Sequence, residues 1–203
     1  MIAKFTTVFD KQVFLEKCFR TKSIMKKFSI SNIITGVILI GALYFMYDYT
    51  FNRKPKFIVG EVAPDFEAKK PDNSTLKLSD YRGKIVLLDF WGTWCGPCLS
   101  EIPGLTTIYN KYKNTQLGAA NGFEIVAVAM DNDKEKWKNT IERRGMNWGG
   151  HVSDLKRMKG DVGTLYNVLE IPTKYLLNEK GIIISVNPTV QELDKLLMKK
   201  ASN

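Results

Sequence analysis

Two cysteines separated by two residues constrain this 203-residue chain more than any other feature. Cys95 and Cys98 come directly after the apolar segment 84–91, which is typical of a buried strand, and Pro97 favours an early helical position. The first sulfur then lies at the start of a helix and the second in its first turn, close enough for a disulfide. Unpaired N–H groups and the positive end of the helix stabilise a thiolate at the first position. We therefore predict a redox-active dithiol with Cys95 as nucleophile and Cys98 as resolving cysteine.

Other uses of such a pair fit this chain less well. A zinc site needs two more ligands, and the only other cysteine and the only histidine are Cys18 and His151. Cys18 precedes the apolar run 28–47, so we expect it on the opposite face of a membrane from the cysteine pair. A purely structural disulfide is the second alternative, but a two-residue loop restrains little chain entropy. A peroxidase would use a single activated cysteine without an adjacent resolving partner. We accordingly predict no metal and no cofactor, and expect His151 at a loop or a strand edge.

An uncharged apolar run over residues 28–47 predicts one transmembrane helix. Its twenty residues, each rising about 1.5 Å, span a hydrocarbon core of about 30 Å. A buried core helix is the alternative, but a core helix is seldom uncharged on every side. Aromatic residues typical of a membrane interface cluster at the far end: Tyr44, Phe45, Tyr47, Tyr49 and Phe51. We assign residues 28–51 to a membrane anchor in contact with lipid.

The net charge of +9 is concentrated around this run. Residues 1–56 hold ten Lys/Arg and three Asp/Glu, whereas residues 57–203 hold twenty and eighteen. The excess therefore flanks an apolar segment and forms no basic stripe with interleaved aromatics, which argues against nucleic-acid binding. Basic residues before the run outnumber those after it, so the positive-inside rule predicts a cytoplasmic amino terminus and an extracytoplasmic, periplasmic domain.

Two further questions concern the amino-terminal part of the chain: whether the apolar run is cleaved off, and where the protein starts. A cleaved signal peptide is the alternative to an anchor, but no small-residue cleavage site is evident after Leu43, so we expect an uncleaved anchor in the inner cell membrane. Met25, followed by two lysines and the apolar run, resembles the start of many membrane anchors. We hypothesise that Met25 is the true start of the protein.

Residues 57–203 predict one α/β domain with a mixed central β-sheet flanked by helices. The alternation of apolar strands and amphipathic helices predicts a βαβ unit with parallel strands, and a closing hairpin adds antiparallel ones. The predicted elements are strands 84–91 and 123–129, helices 97–112, 134–144 and 190–200, and a hairpin of 175–177 with 182–186.

Several segments of this domain resemble the TlpA/ResA-like membrane-anchored thioredoxins. Residues 87–98 resemble the active-site strand and helix of thioredoxin, and residues 166–181 resemble the segment that carries its cis-proline. Residues 60–66 and 78–84 resemble the opening motif and the lead-in to the first core strand. The resemblance covers residues 60–200 and implies a thioredoxin-like fold and a thiol–disulfide oxidoreductase.

The resemblance also implies how a substrate is held. Pro172 is expected in the cis form, facing the dithiol, and the backbone beside it pairs with an extended substrate peptide in this family. The residues expected to contact substrate are Trp94, Gly96, Pro97, Ile171 and Pro172.

Two carboxylates are candidates for taking the proton of Cys98. Asp89 matches the buried aspartate of thioredoxin, and Glu101 matches a glutamate that ResA-like proteins place near the dithiol. We favour Asp89 because an idle charge inside an apolar strand is energetically unfavourable. A solvated helix position is the alternative interpretation of Glu101.

The sequence favours reduction over oxidation of substrates. Gly96-Pro97 is the thioredoxin dipeptide, and thioredoxin lies about 150 mV below DsbA on the redox scale. The resemblance implies disulfide-containing exported proteins as substrates, such as apocytochromes c, and a membrane thiol conduit as electron donor. A disulfide-donating oxidase and a non-catalytic thioredoxin-like binding module are the alternatives.

Overall fold

The computed structural model describes residues 30–51 and 55–202, without the side chains of residues 49–51. The chain divides between residues 53 and 54 into two compact units. The expectations for residues 1–27, including Cys18 and a start at Met25, lie outside the described residues, as do the side chains of Tyr49 and Phe51.

The described part of the first unit is one helix, α1, over Ile30–Phe51. Its described apolar side chains, from Ile30 to Tyr47, are exposed along the whole helix. A helix of 22 residues is about 33 Å long, which matches a hydrocarbon core. Length and composition therefore make α1 a helix that can cross a membrane, as predicted.

The second unit is built on a five-stranded mixed sheet. Its strands, in the spatial order β7-β6-β3-β8-β9, are Gly150–Val152, Phe123–Ala129, Ile85–Trp91, Thr173–Leu177 and Ile183–Val186. β3, β6 and β7 run parallel, whereas β8 and β9 run antiparallel to their neighbours. The predicted mixed sheet, with a parallel part and a closing hairpin, is confirmed.

Four α-helices accompany this sheet: α2 Gly96–Tyr112, α3 Lys134–Arg143, α4 Asp161–Leu165 and α5 Val190–Ala201. Two short 3-10 helices, Leu78–Tyr81 and Arg157–Lys159, lie in the connections. The predicted helices agree with α2, α3 and α5 to within about one residue at each end. Sequence patterns missed α4, β7 and two small hairpins, β1–β2 (Glu67–Lys69, Thr75–Lys77) and β4–β5 (Gln116–Leu117, Ala120–Asn121). Elements of two to five residues are too short to show a periodicity.

Side chains of β3 alternate between two hydrophobic clusters, one on each face of the sheet. Val86, Leu88 and Phe90 belong to the cluster that contains Tyr166 and Tyr175. The other cluster contains Ile85, Leu87 and Trp91 from β3 together with Cys95, Cys98 and Ile102 from the start of α2. Asp89 alternates in step with Leu87 and Trp91, so its side chain lies on the face that carries the cysteines.

Candidate active site

The dithiol lies where α2 begins. Cys95 is the N-cap residue of α2, and its sulfur accepts a hydrogen bond of 3.2 Å from the backbone N–H of Cys98. The two cysteines are joined by a disulfide, with their Cα atoms 5.3 Å apart. Both are buried, whereas Gly96 and Pro97 between them are exposed. An N–H aimed at the first sulfur is the arrangement that stabilises a thiolate there.

The loop before the dithiol is hydrogen-bonded to the residues that follow β6. The Thr93 hydroxyl and backbone N–H both donate to the buried Asp131 carboxylate, at 2.7 Å and 3.1 Å. The Trp94 indole N–H donates to the Met130 carbonyl oxygen at 2.8 Å. Asp131 was not predicted from the sequence. The carboxyl ends of neighbouring parallel strands meet at one sheet edge, so a carboxylate two residues after β6 was the available signal.

Trp94 forms an exposed rim beside the dithiol. Its side chain is 45% exposed, and the Arg157 guanidinium carbon lies 5.7 Å from its ring centroid. A Cβ atom on Gly92 would lie 2.9 Å from Trp94 Nε1 and 3.2 Å from Ile171 Cδ1. The glycine therefore permits the Trp94 ring and the Ile171 side chain to converge on one side of the active-site loop.

The segment that contains Pro172 lies against Cys95. The peptide bond between Ile171 and Pro172 is cis, as expected, and the Ile171 carbonyl oxygen is 3.8 Å from Cys95 Sγ. Both residues are partly buried, and β8 begins immediately after them. The five residues expected to contact substrate thus come from two segments, 94–97 and 171–172, and the second segment meets the first at Cys95.

Asp89 lies within β3 and is almost completely buried, with 5% of its surface exposed. Its Oδ1 atom has no hydrogen-bond partner in the described part of the chain. Loss of hydration raises the pKa of Asp89 to about 7; the charge of Lys174 opposes this shift and that of Glu101 adds to it. A carboxyl with such a pKa exchanges protons near neutrality.

Glu101 is paired with a lysine that sequence analysis overlooked. Lys174 is 4% exposed, and its Nζ donates to Glu101 Oε2 at 2.6 Å. Lys174 also stands directly opposite Asp89 in the antiparallel pairing of β3 with β8. A lysine inside an apolar strand two residues after Pro172 was the signal for this site, since lysine is almost never buried without a partner.

His151 lies in the edge strand β7, in register with Ala127 of β6 and, through it, with Asp89 of β3. It stacks on Trp148, which in turn contacts Tyr109, about three helical turns beyond Cys98. Its Nε2 lies 3.1 Å from the Met146 carbonyl oxygen, and burial lowers the pKa of His151 to about 4. The strand-edge position agrees with the expectation from the sequence.

Comparison with known proteins assigns the family. The model of the AhpC/TSA family matches residues 59–186. The thiol–disulfide oxidoreductase ResA of Bacillus subtilis is 36% identical over 165 residues, which cover 80% of this chain and 87% of the relative. ResA of Bacillus thuringiensis subsp. konkukian is 30% identical over 171 residues, covering 82% and 93%. The chain belongs to the ResA-like thiol–disulfide oxidoreductases.

Solved structures confirm the fold expected for a ResA-like chain. The thioredoxin domain of a thiol-disulfide oxidoreductase from Bacteroides vulgatus has a TM-score of 0.63 and 30% identity, and the match covers 71% of this chain and 98% of that one. A thiol:disulfide interchange protein from Bacteroides sp. has a TM-score of 0.63 and 29% identity, with 72% and 92% covered. This ResA-like chain is therefore an enzyme with a thioredoxin-like fold that exchanges disulfides with substrate proteins.

Proposed function

We propose that this chain is a membrane-anchored reductant of disulfides in exported proteins. The observation that carries the proposal is the Cys95–Cys98 pair at the amino end of α2, beside the Ile171 carbonyl and directly after the exposed Trp94. Residues 28–51 are the anchor, residues 1–27 the cytoplasmic segment and residues 57–203 the periplasmic domain. The apolar helix α1 and the basic residues before it support this topology.

Each sulfur has a separate task in the proposed reaction. The Cys95 thiolate attacks one sulfur of the substrate disulfide, and the other substrate sulfur leaves as a thiolate. Cys98 then attacks Cys95 Sγ and gives its proton to Asp89. The bond between Cys95 and the substrate breaks, the second substrate thiolate leaves, and the enzyme disulfide closes. Two electrons thereby pass from the dithiol to the substrate.

The surface around the disulfide suits an extended peptide. The Ile171–Pro172 segment offers backbone for strand addition, and Trp94, Gly96 and Pro97 form an exposed surface on the other side. Among exported proteins, apocytochromes c with an oxidised Cys-x-x-Cys-His segment are the proposed substrates. A membrane thiol conduit fed from the cytoplasm is the proposed electron donor.

Trapping of the mixed disulfide tests the proposal. In a Cys98→Ser variant, Cys95 can attack a substrate but no resolving thiol releases it, so exported proteins with cysteine pairs are expected to accumulate on Cys95. The matched control is the Cys95→Ser/Cys98→Ser variant, which is expected to trap nothing. Capture of cytoplasmic proteins alone would contradict the proposed location.

Titration against glutathione tests the direction of electron flow. A reductant is expected to show a dithiol potential near that of thioredoxin, about −270 mV. A potential near that of DsbA, about −120 mV, would instead assign the chain to the disulfide-donating oxidases.

A further inference from the structure

Three ionisable side chains from three elements meet on the face of the sheet that carries the dithiol. Asp89 comes from β3, Lys174 from β8 and Glu101 from the second turn of α2, three residues after Cys98. Asp89 and Lys174 are buried, and the Glu101 side chain is 26% exposed. Buried charges are costly unless paired, so the arrangement of two carboxylates around one ammonium needs an explanation.

The three groups are not paired equally. The Lys174 ammonium donates to Glu101 at 2.6 Å, a short charge-assisted hydrogen bond. Asp89 stands opposite Lys174 across the strand pair, yet its Oδ1 atom has no hydrogen-bond partner in the described part of the chain. The ion pair therefore forms between Lys174 and Glu101, and no cation among the described residues is bound directly to Asp89.

We propose that Lys174 is a positioning residue that holds Glu101 as its carboxylate partner and thereby leaves Asp89 as the group that exchanges a proton with Cys98. The inference rests on the proposed exchange reaction and assigns one role to each carboxylate. Glu101 serves as the counter-ion of Lys174. Asp89 takes the Cys98 proton when Cys98 attacks Cys95 Sγ, and returns it when the enzyme disulfide is next reduced.

The surroundings of Asp89 make this assignment testable. Across the other strand pair its neighbour in β6 is Ala127, followed in the same row by His151 of β7. From α2 it faces the apolar side chains around Cys98 and Ile102. Among the described residues, the charges that act on the Asp89 pKa are Lys174, which lowers it, and Glu101, which raises it. Removing the Lys174 charge is therefore expected to raise the pKa of Asp89, and removing the Glu101 charge is expected to lower it.

The experiment measures the pH dependence of disulfide reduction by the full-length chain, purified in detergent and pre-reduced, with a disulfide-bonded peptide as substrate. Lys174→Met is expected to move the Asp89-dependent midpoint of the rate profile upward by about one pH unit or more. Glu101→Gln is expected to move it downward. The double variant is expected to return close to wild type, because the two lost charges oppose each other.

Two further variants separate charge from structure. Lys174→Arg keeps the cation and is expected to keep the wild-type midpoint. Lys111→Met removes an ammonium that pairs with Asp194 at 2.9 Å on the surface, and is expected to leave the profile unchanged. Mere structural damage would accumulate in the double variant instead of cancelling.

Several outcomes overturn the inference. An unchanged midpoint in both single variants would remove Lys174 from the mechanism, and loss of the titrating limb in Glu101→Gln would make Glu101 itself the proton acceptor. If Lys174→Met does not fold, the downward shift in Glu101→Gln and its cancellation in the double variant still decide the question. An inactive wild-type chain would instead refute the proposed function as a whole.

Discussion

Asp89 and His151 are equally buried on the same sheet, yet burial shifts their pKa values in opposite directions. Each is 5% exposed, and in each case burial favours the neutral form. The pKa of Asp89 is raised to about 7, whereas that of His151 is lowered to about 4. Asp89 lies on the central strand, opposite a cation and on the face of the dithiol. His151 lies on the same face, in register with Asp89 but two strands away at the sheet edge, among rings and a backbone carbonyl.

This contrast teaches that burial alone does not identify a functional titratable group. Near pH 7 the carboxyl of Asp89 changes its charge within the face that holds Cys98, so it can accept and return a proton. The His151 imidazole stays neutral at that pH, and its described contacts are the Trp148 ring and the Met146 carbonyl oxygen. Asp89 and His151 therefore differ in their position relative to the dithiol and in the nearby charges that shift their pKa values.

The largest expected effect concerns stability at high pH. The Asp89 pKa is higher in the folded chain than its usual value of 3.8, so wild type loses stability as pH rises from about 4 through about 7. Asp89→Asn removes this titration and is expected to raise the free energy of unfolding at pH 8 by up to about 4 kcal/mol. Urea unfolding followed by fluorescence measures it, since all four tryptophans lie in the second unit. An equal gain at pH 4 and pH 8 would contradict this linkage.

The next effect has the opposite sign and concerns His151. Its pKa is lower in the folded chain than its usual value of 6.5, so wild type loses about 3 kcal/mol as pH falls from about 7 to 4. His151→Phe is expected to abolish this loss while costing about 1 kcal/mol at pH 7 through the missing bond to Met146. The same unfolding measurement at pH 7.5, 5.5 and 4.5 checks it. If the free energy of unfolding depended on pH in the same way in wild type and variant, His151 would not be the group responsible for the loss.

The smallest of the three effects is kinetic and separates the two residues by function. Asp89→Asn is expected to slow disulfide reduction at pH 7 by about 100-fold, equivalent to about 2.7 kcal/mol, because Cys98 loses its proton acceptor. His151→Phe is the matched control and is expected to leave the rate within about twofold of wild type. An unchanged pH–rate profile in Asp89→Asn would remove Asp89 from the mechanism.

Local patterns in the sequence were enough to predict the dithiol, the main strands and helices, and the apolar helix α1. The apolar strand and the cysteine pair with Pro97 can be predicted from the residues themselves, because strand periodicity and helix-start preferences act over a few residues. Asp89 as a candidate also came from the sequence, because a carboxylate inside an apolar strand stands out locally.

Tertiary structure alone decided which charges meet. Lys174 and Glu101 are 73 residues apart, and Thr93 and Asp131 are 38 apart, so neither pair is visible in a local pattern. The register of β3 against β8 places Lys174 opposite Asp89. The packing of α2 on the sheet brings Glu101 into hydrogen-bond distance of the Lys174 ammonium. Which carboxyl is ion-paired depends on these long-range contacts, because hydration and Coulomb interactions are set by the folded surroundings and not by neighbours along the chain.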